Sequence, residues 1–310
     1  LSENSITLPD YTPGEEGIFA GLPASTYHSP TKAPGISRSL IVELLSMTAA
    51  HARSVIEGIH IKVETQAMTG GTVFDTMLLE PDKFGEGKSH WTVPAGMKLS
   101  TKDGIEWKKD HPNVGKPGGL PYIWAESEAA NKASLKDMHG MIESLMAHQK
   151  IRRIIESSTK QESAFCRDPA TGLMRKVRPD ARCFDNQERI ILADLKSTFR
   201  GGAAESAWQQ HCARMAYHIQ DSFYSDVYTD LMDKPFFLFM VVERKPPYAC
   251  RIFQLDPAGK KFARDKYKRA LEQFRKCQES GVWPGYDEDV VTVSLPAWEL
   301  RAPEPESIDL

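Results

Sequence analysis

The chain has 310 residues, 41% apolar and 26% charged, with 42 acidic against 39 basic side chains and a net charge of −3. That length can bury a substantial core as one large or two small domains; no run of about 18 apolar residues is present to cross a membrane, and the first residues lack the basic start and apolar stretch of a secretory signal. The five cysteines (Cys166, Cys183, Cys212, Cys250, Cys277) form no Cys-x-x-Cys pair, which argues against a disulfide framework, a zinc ribbon or an iron–sulfur cluster and makes a cytoplasmic protein the expectation.

In chain order, residues 1–17 read as an irregular polar arm. Ser37 or Ser39 can cap a helix through Leu40, Leu44 and Leu45. A second helix follows Gly70-Gly71 through Phe74, Met77 and Leu78 and stops near Pro81. Residues 85–121, rich in Gly, Pro and Lys, read as a long loop; Gly87-Lys88-Ser89 there mimics a phosphate loop but lacks its upstream glycine and strand. Residues 126–157 carry a helical apolar stripe. The texture then turns to strands at 162–167, 173–183 and 189–196, separated by the turns 168–172 and 184–188. A helix over about 203–232 leads to strands at 236–243 and 248–255. A basic helix at 257–279 follows, anchored to the core by Phe262, Tyr267 and Phe274. An acidic tail, 301–310, ends the chain. Strands mixed with flanking helices make this an α/β (α+β) domain. Segregated charge, basic at 260–269 and acidic at 304–309, leaves room for a DNA-facing surface despite the negative total.

Hairpin geometry gathers the chemistry. A turn centred on Gln187 sets Asp180 opposite Asp194, and period-2 alternation puts Lys196 on the face of Asp194. A turn centred on Ala170 sets Glu162 opposite Arg178, which shares the face of Asp180. Like charges facing each other on a sheet are destabilising. A divalent cation with hard oxygen ligands would compensate, with the Leu195 carbonyl as a third protein ligand. Lys196 would then orient or deprotonate a water and stabilise developing charge. The bland alternative is a solvated salt-bridge cluster. His211 and His218 share a helix face, without a third ligand for zinc.

Arg178-Pro179-Asp180 followed by Ala193-Asp194-Leu195-Lys196-Ser197-Thr198 resembles the motif pair of PD-(D/E)XK nucleases. Gln220 and Tyr224 match the Gln-x-x-x-Tyr element of the recombination-nuclease branch. Tyr27-His28, Gly35-Ile36-Ser37-Arg38-Ser39, Gly71-Thr72-Val73-Phe74-Asp75, Glu80-Pro81, Trp283-Pro284 and Leu295-Pro296-Ala297-Trp298 resemble segments of the RecE (exodeoxyribonuclease VIII) nuclease domain, collinearly over about residues 18–300.

The resemblance implies a single PD-(D/E)XK exonuclease domain, a mixed central sheet flanked by helices. It implies processive 5′-to-3′ digestion of one strand of linear double-stranded DNA, leaving 3′ overhangs. A homo-oligomeric ring, trimer or tetramer, and a single-strand annealing protein (RecT/Bet-like) are its implied partners, with no membrane. Mg2+ is the implied cofactor, Mn2+ substituting. Asp180, Asp194 and Lys196 become the metal and catalytic residues, Glu162 an acidic helper, and Gln220 and Tyr224 contacts to water, phosphate or the terminal nucleotide. Ser37, Arg38 and Ser39, at a turn before a helix, form a cradle for a 5′-phosphate, with Arg178 and Gln220 also on the DNA. Where the family carries His after Gly-Thr-x-Phe, this chain has Asp75, a carboxylate able to reach a hard cation. The other readings are a PD-(D/E)XK endonuclease or junction resolvase, and a non-enzymatic DNA-end-binding module. A Cas4-like or AddB-like nuclease would need a cysteine cluster that the sequence lacks.

Overall fold

The computed structural model describes residues 11–60, 65–111, 113–116, 119–126, 133–297 and 299–300. Most of the 1–17 arm, the acidic tail 301–310, Trp298 and part of the predicted 126–157 helix lie outside the described residues. The chain begins with β1 (Gly17–Phe19), α1 (Ala24–Tyr27), α2 (Arg38–Ser46), α3 (Ala49–Ile56), α4 (Gln66–Leu79), β2 (Trp91–Val93), α5 (Lys102–Asp110) and β3 (Tyr122–Trp124). It continues through α6 (Leu135–Ala147), α7 (Gln149–Ser157), β4 (Thr159–Lys160), β5 (Ser163–Arg167), β6 (Met174–Val177), β7 (Ala181–Phe184) and β8 (Ile190–Thr198). The last elements are α8 (Glu205–Arg214), α9 (Tyr217–Leu231), β9 (Phe236–Glu243), β10 (Cys250–Phe253) and α10 (Pro257–Ser280).

Short polar side chains start many of these helices. Ser37, Thr65, Thr101, Ser134 and Asp256 each accept from a backbone N–H of the first turn, and Pro257 follows Asp256 where a missing donor costs nothing. The central sheet runs β10-β9-β8-β7-β4, with β8 and β9 parallel and the other neighbours antiparallel. A parallel pair needs a long crossover, which α8 and α9 provide. A second sheet, β1-β5-β6, holds the chain's N-terminal strand.

Alternation along β8 and β9 creates two apolar faces. Ile190, Leu192, Phe237, Phe239 and Val241 join Leu44, Phe223 and Tyr267 in one core. Ala193, Leu195, Met240 and Val242 join Phe74, Met141, Leu145 and Ile151 in the other. Helices therefore cover both faces, and Asp194 and Lys196 continue the first face where its apolar run along β8 ends.

The structure revises several predicted elements. The 173–183 strand divides into β6 and β7 in different sheets, because the chain turns at Arg178-Pro179-Asp180 and Pro179 has no N–H for a ladder. The 203–232 helix breaks at Ala216, which takes a left-handed backbone (φ 52°). Arg38 donates to the Met215 carbonyl at that break, much as basic side chains satisfy carbonyls at helix ends. The 126–157 helix splits into α6 and α7, and His148 caps the second. The 85–121 loop contains β2 and the polar helix α5, whose sequence carries no apolar stripe. Helix α4 starts ahead of Gly70-Gly71, and Gly70 is needed inside it: a Cβ there would lie 2.5 Å from that of Ala133. On α10, Tyr267 and Phe274 are buried as expected, but Phe262 is 56% exposed. It sits one position off the buried face of Ala263, Tyr267, Ala270 and Phe274.

The same helix neutralises much of its own charge. Lys260 pairs with Asp221, Lys261 with Asp265, Arg264 with Asp226, and Arg275 with Glu272 and Glu279. The basic run therefore presents less free charge to DNA than its sequence implies.

Candidate active site

The β7–β8 hairpin pairs Ala181 with Ala193 and Arg182 with Leu192, so Asp180 faces Asp194 one step beyond the ladder, in the expected register. The Asp194 side chain is 3% exposed. Its Oδ1 accepts from Gln220 Nε2 at 2.6 Å, and its Oδ2 takes the Lys196 ammonium. Asp180 Oδ2 accepts the Leu195 N–H at 2.7 Å, and Oδ1 accepts from Gln161 Nε2 at 3.0 Å. The N–H and C=O of one strand residue leave by the same edge, so the Leu195 carbonyl is turned toward Asp180 as well.

Electrostatics tie Asp75 to this group. Burial pushes the Asp75 carboxyl well above the usual carboxylate range, and Asp180 and Asp194 add to the rise while Lys196 opposes it. Burial, then Asp194, pushes Asp180 up to about 7, opposed by Lys196, the Leu195 N–H and Gln161. Burial alone would pull the Lys196 ammonium down, but Asp194 and Asp180 outweigh it and hold the proton on. Burial is the larger cause for both acids and the repulsion between carboxylates adds to it; a cation would favour their ionised state.

Among the described residues no group of three or more His, Cys, Asp or Glu side chains is placed to hold a metal ion. Mg2+ does not require one, since it is commonly held by one or two carboxylates and completes its octahedron with water and substrate phosphate. Asp180, Asp194 and the Leu195 carbonyl, with Asp75 beside them, fit such an open site.

The remaining sequence-predicted residues divide. Gln220, on the first turn of α9, orients Asp194. Tyr224, one turn later, is 9% exposed. Burial first and Asp194 second raise its hydroxyl to about 12, so it stays a donor. Glu162 does not join the acids: the β5–β6 register pairs Ala164 with Val177 and Phe165 with Lys176, one residue from the predicted alignment. Glu162 lies just outside β5, and Asp180 lies past the break that sends β7 into a different sheet from β6, so the β5–β6 ladder does not bring the two together. Glu162 instead accepts two hydrogen bonds from Arg182 at 2.5 and 2.9 Å.

Arg178 donates to Gln161, the Leu22 carbonyl and Ser163, so its guanidinium is spent largely on the protein rather than offered to DNA. The Ser37-Arg38-Ser39 cradle also comes apart. Ser37 is consumed in capping α2, and both serines line a cavity of about 740 Å³ whose lining does not include Arg38. The Arg38 guanidinium lies 5.7 Å over the Tyr217 ring, where the Lys196 ammonium also sits at 4.9 Å. Its Nε is buried without a hydrogen-bond partner among the described residues.

Gln161 escaped the sequence reading. It links Arg178 to Asp180 from a left-handed backbone (φ 52°), a conformation with no spacing signature that clusters at functional sites. Gln161→Ala is expected to lower nuclease activity about 10- to 100-fold, the usual cost of losing a hydrogen-bond partner that orients an active-site carboxylate. Turnover equal to wild type would show that Asp180 is held without it.

A mixed sheet covered by helices on both faces, with two acids and a lysine brought together at the hairpin beside its parallel pair, is the framework of the PD-(D/E)XK nuclease superfamily. The chain belongs to the family described as PDDEXK-like domain of unknown function, DUF3799, whose model matches residues 37–294. Among solved structures it is similar to a protein from Eubacterium rectale described as a candidate exonuclease, with 13% identity, a TM-score of 0.57, and coverage of 91% of this chain and 98% of that one. A fainter likeness is to SSO0001, with 10% identity, a TM-score of 0.27, and coverage of 65% of this chain and 86% of that one. No curated protein matches the chain. Among the described residues no helix is long and apolar enough to cross a membrane.

Proposed function

We propose that the protein is a metal-dependent exodeoxyribonuclease that digests one strand of linear duplex DNA from its 5′ end and leaves 3′ single-stranded overhangs for annealing-based recombination. The observation that carries this reading is the meeting of Asp180 and Asp194 at the β7–β8 hairpin, with Lys196 and Gln220 on Asp194 and the Leu195 N–H on Asp180. A bound Mg2+, or Mn2+ in its place, supplies Lewis acidity toward a phosphate oxygen and lowers the pKa of water. Lys196, kept protonated by two carboxylates, acts as a donor that orients the attacking water and stabilises charge on the phosphate, not as a base. Gln220 fixes Asp194, Tyr224 offers its hydroxyl nearby, and Arg38 captures the 5′-phosphate.

A few phosphate contacts release DNA readily as salt rises. Processive digestion therefore calls for a ring of subunits closed around the duplex, with a single-strand annealing protein receiving the product in the cytoplasm. The test compares a 5′-phosphorylated linear duplex with a covalently closed circle. Mononucleotides should leave only the linear DNA, and rapid nicking of the circle would overturn the end-dependent reading. Arg38→Ala should raise KM for 5′-phosphorylated ends about tenfold, the worth of one charge-assisted hydrogen bond, and change 5′-hydroxyl ends less. Equal effects on both would remove Arg38 from phosphate capture.

A further inference from the structure

A cavity of about 680 Å³ opens between α8, the start of α9, β10 and the first turn of α10. It is separate from the acid group yet reaches it in two ways. Its floor residue Phe239 is the strand neighbour of Asp194. Its wall residue Trp208 stacks on Tyr217 at 5.6 Å and 22°, and Tyr217 is the ring that carries the Lys196 ammonium. Trp208 also stacks on Phe253 at 5.3 Å and 17°, and exposed Phe262 lies roughly parallel to the His218 ring at 6.0 Å.

Three polar groups on the lining have no hydrogen-bond partner among the described residues. The amides of Gln209 and Gln254 make no hydrogen bond among the described residues, and His218 Nε2 is shielded from water without a partner. An apolar peptide side chain would leave these groups unanswered, at a cost in affinity. A nucleobase answers both features, because its flat face stacks on aromatic rings and its edge carries donors and acceptors. The charged groups on the lining are the carboxylates of Glu205 and Asp256 and the guanidinium of Arg251, which lies over the Phe253 ring; two acidic groups against one basic group leave the cavity a poor place for a phosphate. The base therefore points inward while its phosphate stays toward Lys196 and Arg38.

We propose that this cavity binds a nucleobase of the nucleotide adjoining the cleaved phosphate, either still in the strand or as the released mononucleotide. The inference rests on the nuclease reading for its biological sense, but the binding itself can be measured without cleavage. The full chain in EDTA is mixed with dAMP, with deoxyribose 5-phosphate, or with a short 5′-phosphorylated single strand, and ligand protons are followed by saturation-transfer NMR. Base protons of dAMP or of the strand should respond, and deoxyribose 5-phosphate should not compete. Phe262→Ala and Gln254→Ala, both at exposed positions, should each weaken binding about tenfold, the order of one lost base contact, with melting temperature unchanged.

A response from free dAMP marks the released nucleotide as ligand; a response from the strand alone marks the base before cleavage. No base response from either probe, or affinity indifferent to both substitutions, overturns the proposal and leaves the cavity to an apolar partner. Cleavage of linear DNA without base binding sinks this assignment alone. Base binding without cleavage sinks the nuclease reading alone.

Discussion

Asp194→Asn is expected to reduce Mg2+-dependent release of nucleotides from linear duplex by about 1000-fold or more, the scale seen when one transition-state charge stabiliser is lost. The substitution preserves shape. It removes the carboxylate that holds Lys196 and receives Gln220, and with it the hard ligand opposite Asp180. Duplex binding in Ca2+, followed by fluorescence anisotropy, should persist because the DNA-facing charges remain. Retained cleavage would mean that the reacting phosphate does not sit at this strand pair. The repulsion on Asp180 also falls when Asp194 loses its charge, so loss of activity in this variant cannot be blamed on a poorly ionised Asp180.

Lys196→Ala is the second large effect, and it acts on stability as well as turnover. In wild type the ammonium offsets the carboxylates of Asp194 and Asp180 and lies over Tyr217. Removing one partner of a buried pair strands the other, at a cost of about 3 kcal/mol or more. The variant should therefore melt well below wild type in EDTA and cleave at least about 100-fold more slowly. A divalent cation that binds only the folded chain raises stability by mass action. Ca2+ should therefore lift the melting temperature of Lys196→Ala more than that of wild type, because the cation meets the charge that the lysine no longer offsets. Identical melting curves with EDTA and Ca2+ in both proteins would show that no cation is held between Asp180 and Asp194. A solvated salt-bridge cluster would give that flat result.

The Glu162 outcome shows how narrow the margin of strand reasoning is. The turn before β8 sits where expected because Asp185 fastens it, accepting from the N–H groups of Gln187 and Arg189 and from the Arg189 side chain. The turn between β5 and β6 is organised by Asp168, which accepts from Thr171, and it closes one residue later than its composition implies. The chain also leaves β6 for another sheet at Arg178-Pro179-Asp180, so Glu162 pairs with Arg182 and stays apart from Asp180, Asp194 and Lys196.

What the sequence by itself determined was whatever has a short period or a strong local cap. The alternation that puts Asp194 and Lys196 on one side of β8, the helical spacing that puts Gln220 and Tyr224 on one side of α9, and a serine cap, Ser37 or Ser39, at the start of α2 all belong to windows of a few residues. Only the tertiary structure decided which separate windows meet. It brought Asp75 of α4 to Asp180 across more than 100 positions of chain, aimed Arg38 at Tyr217 and away from Ser37 and Ser39, and broke a continuous helical pattern at Ala216. The physical cause is burial of the two apolar faces of the central sheet. Covering both faces fixes where α4, α2 and α9 must lie, and that placement, which no local pattern encodes, sets the distances among charged groups.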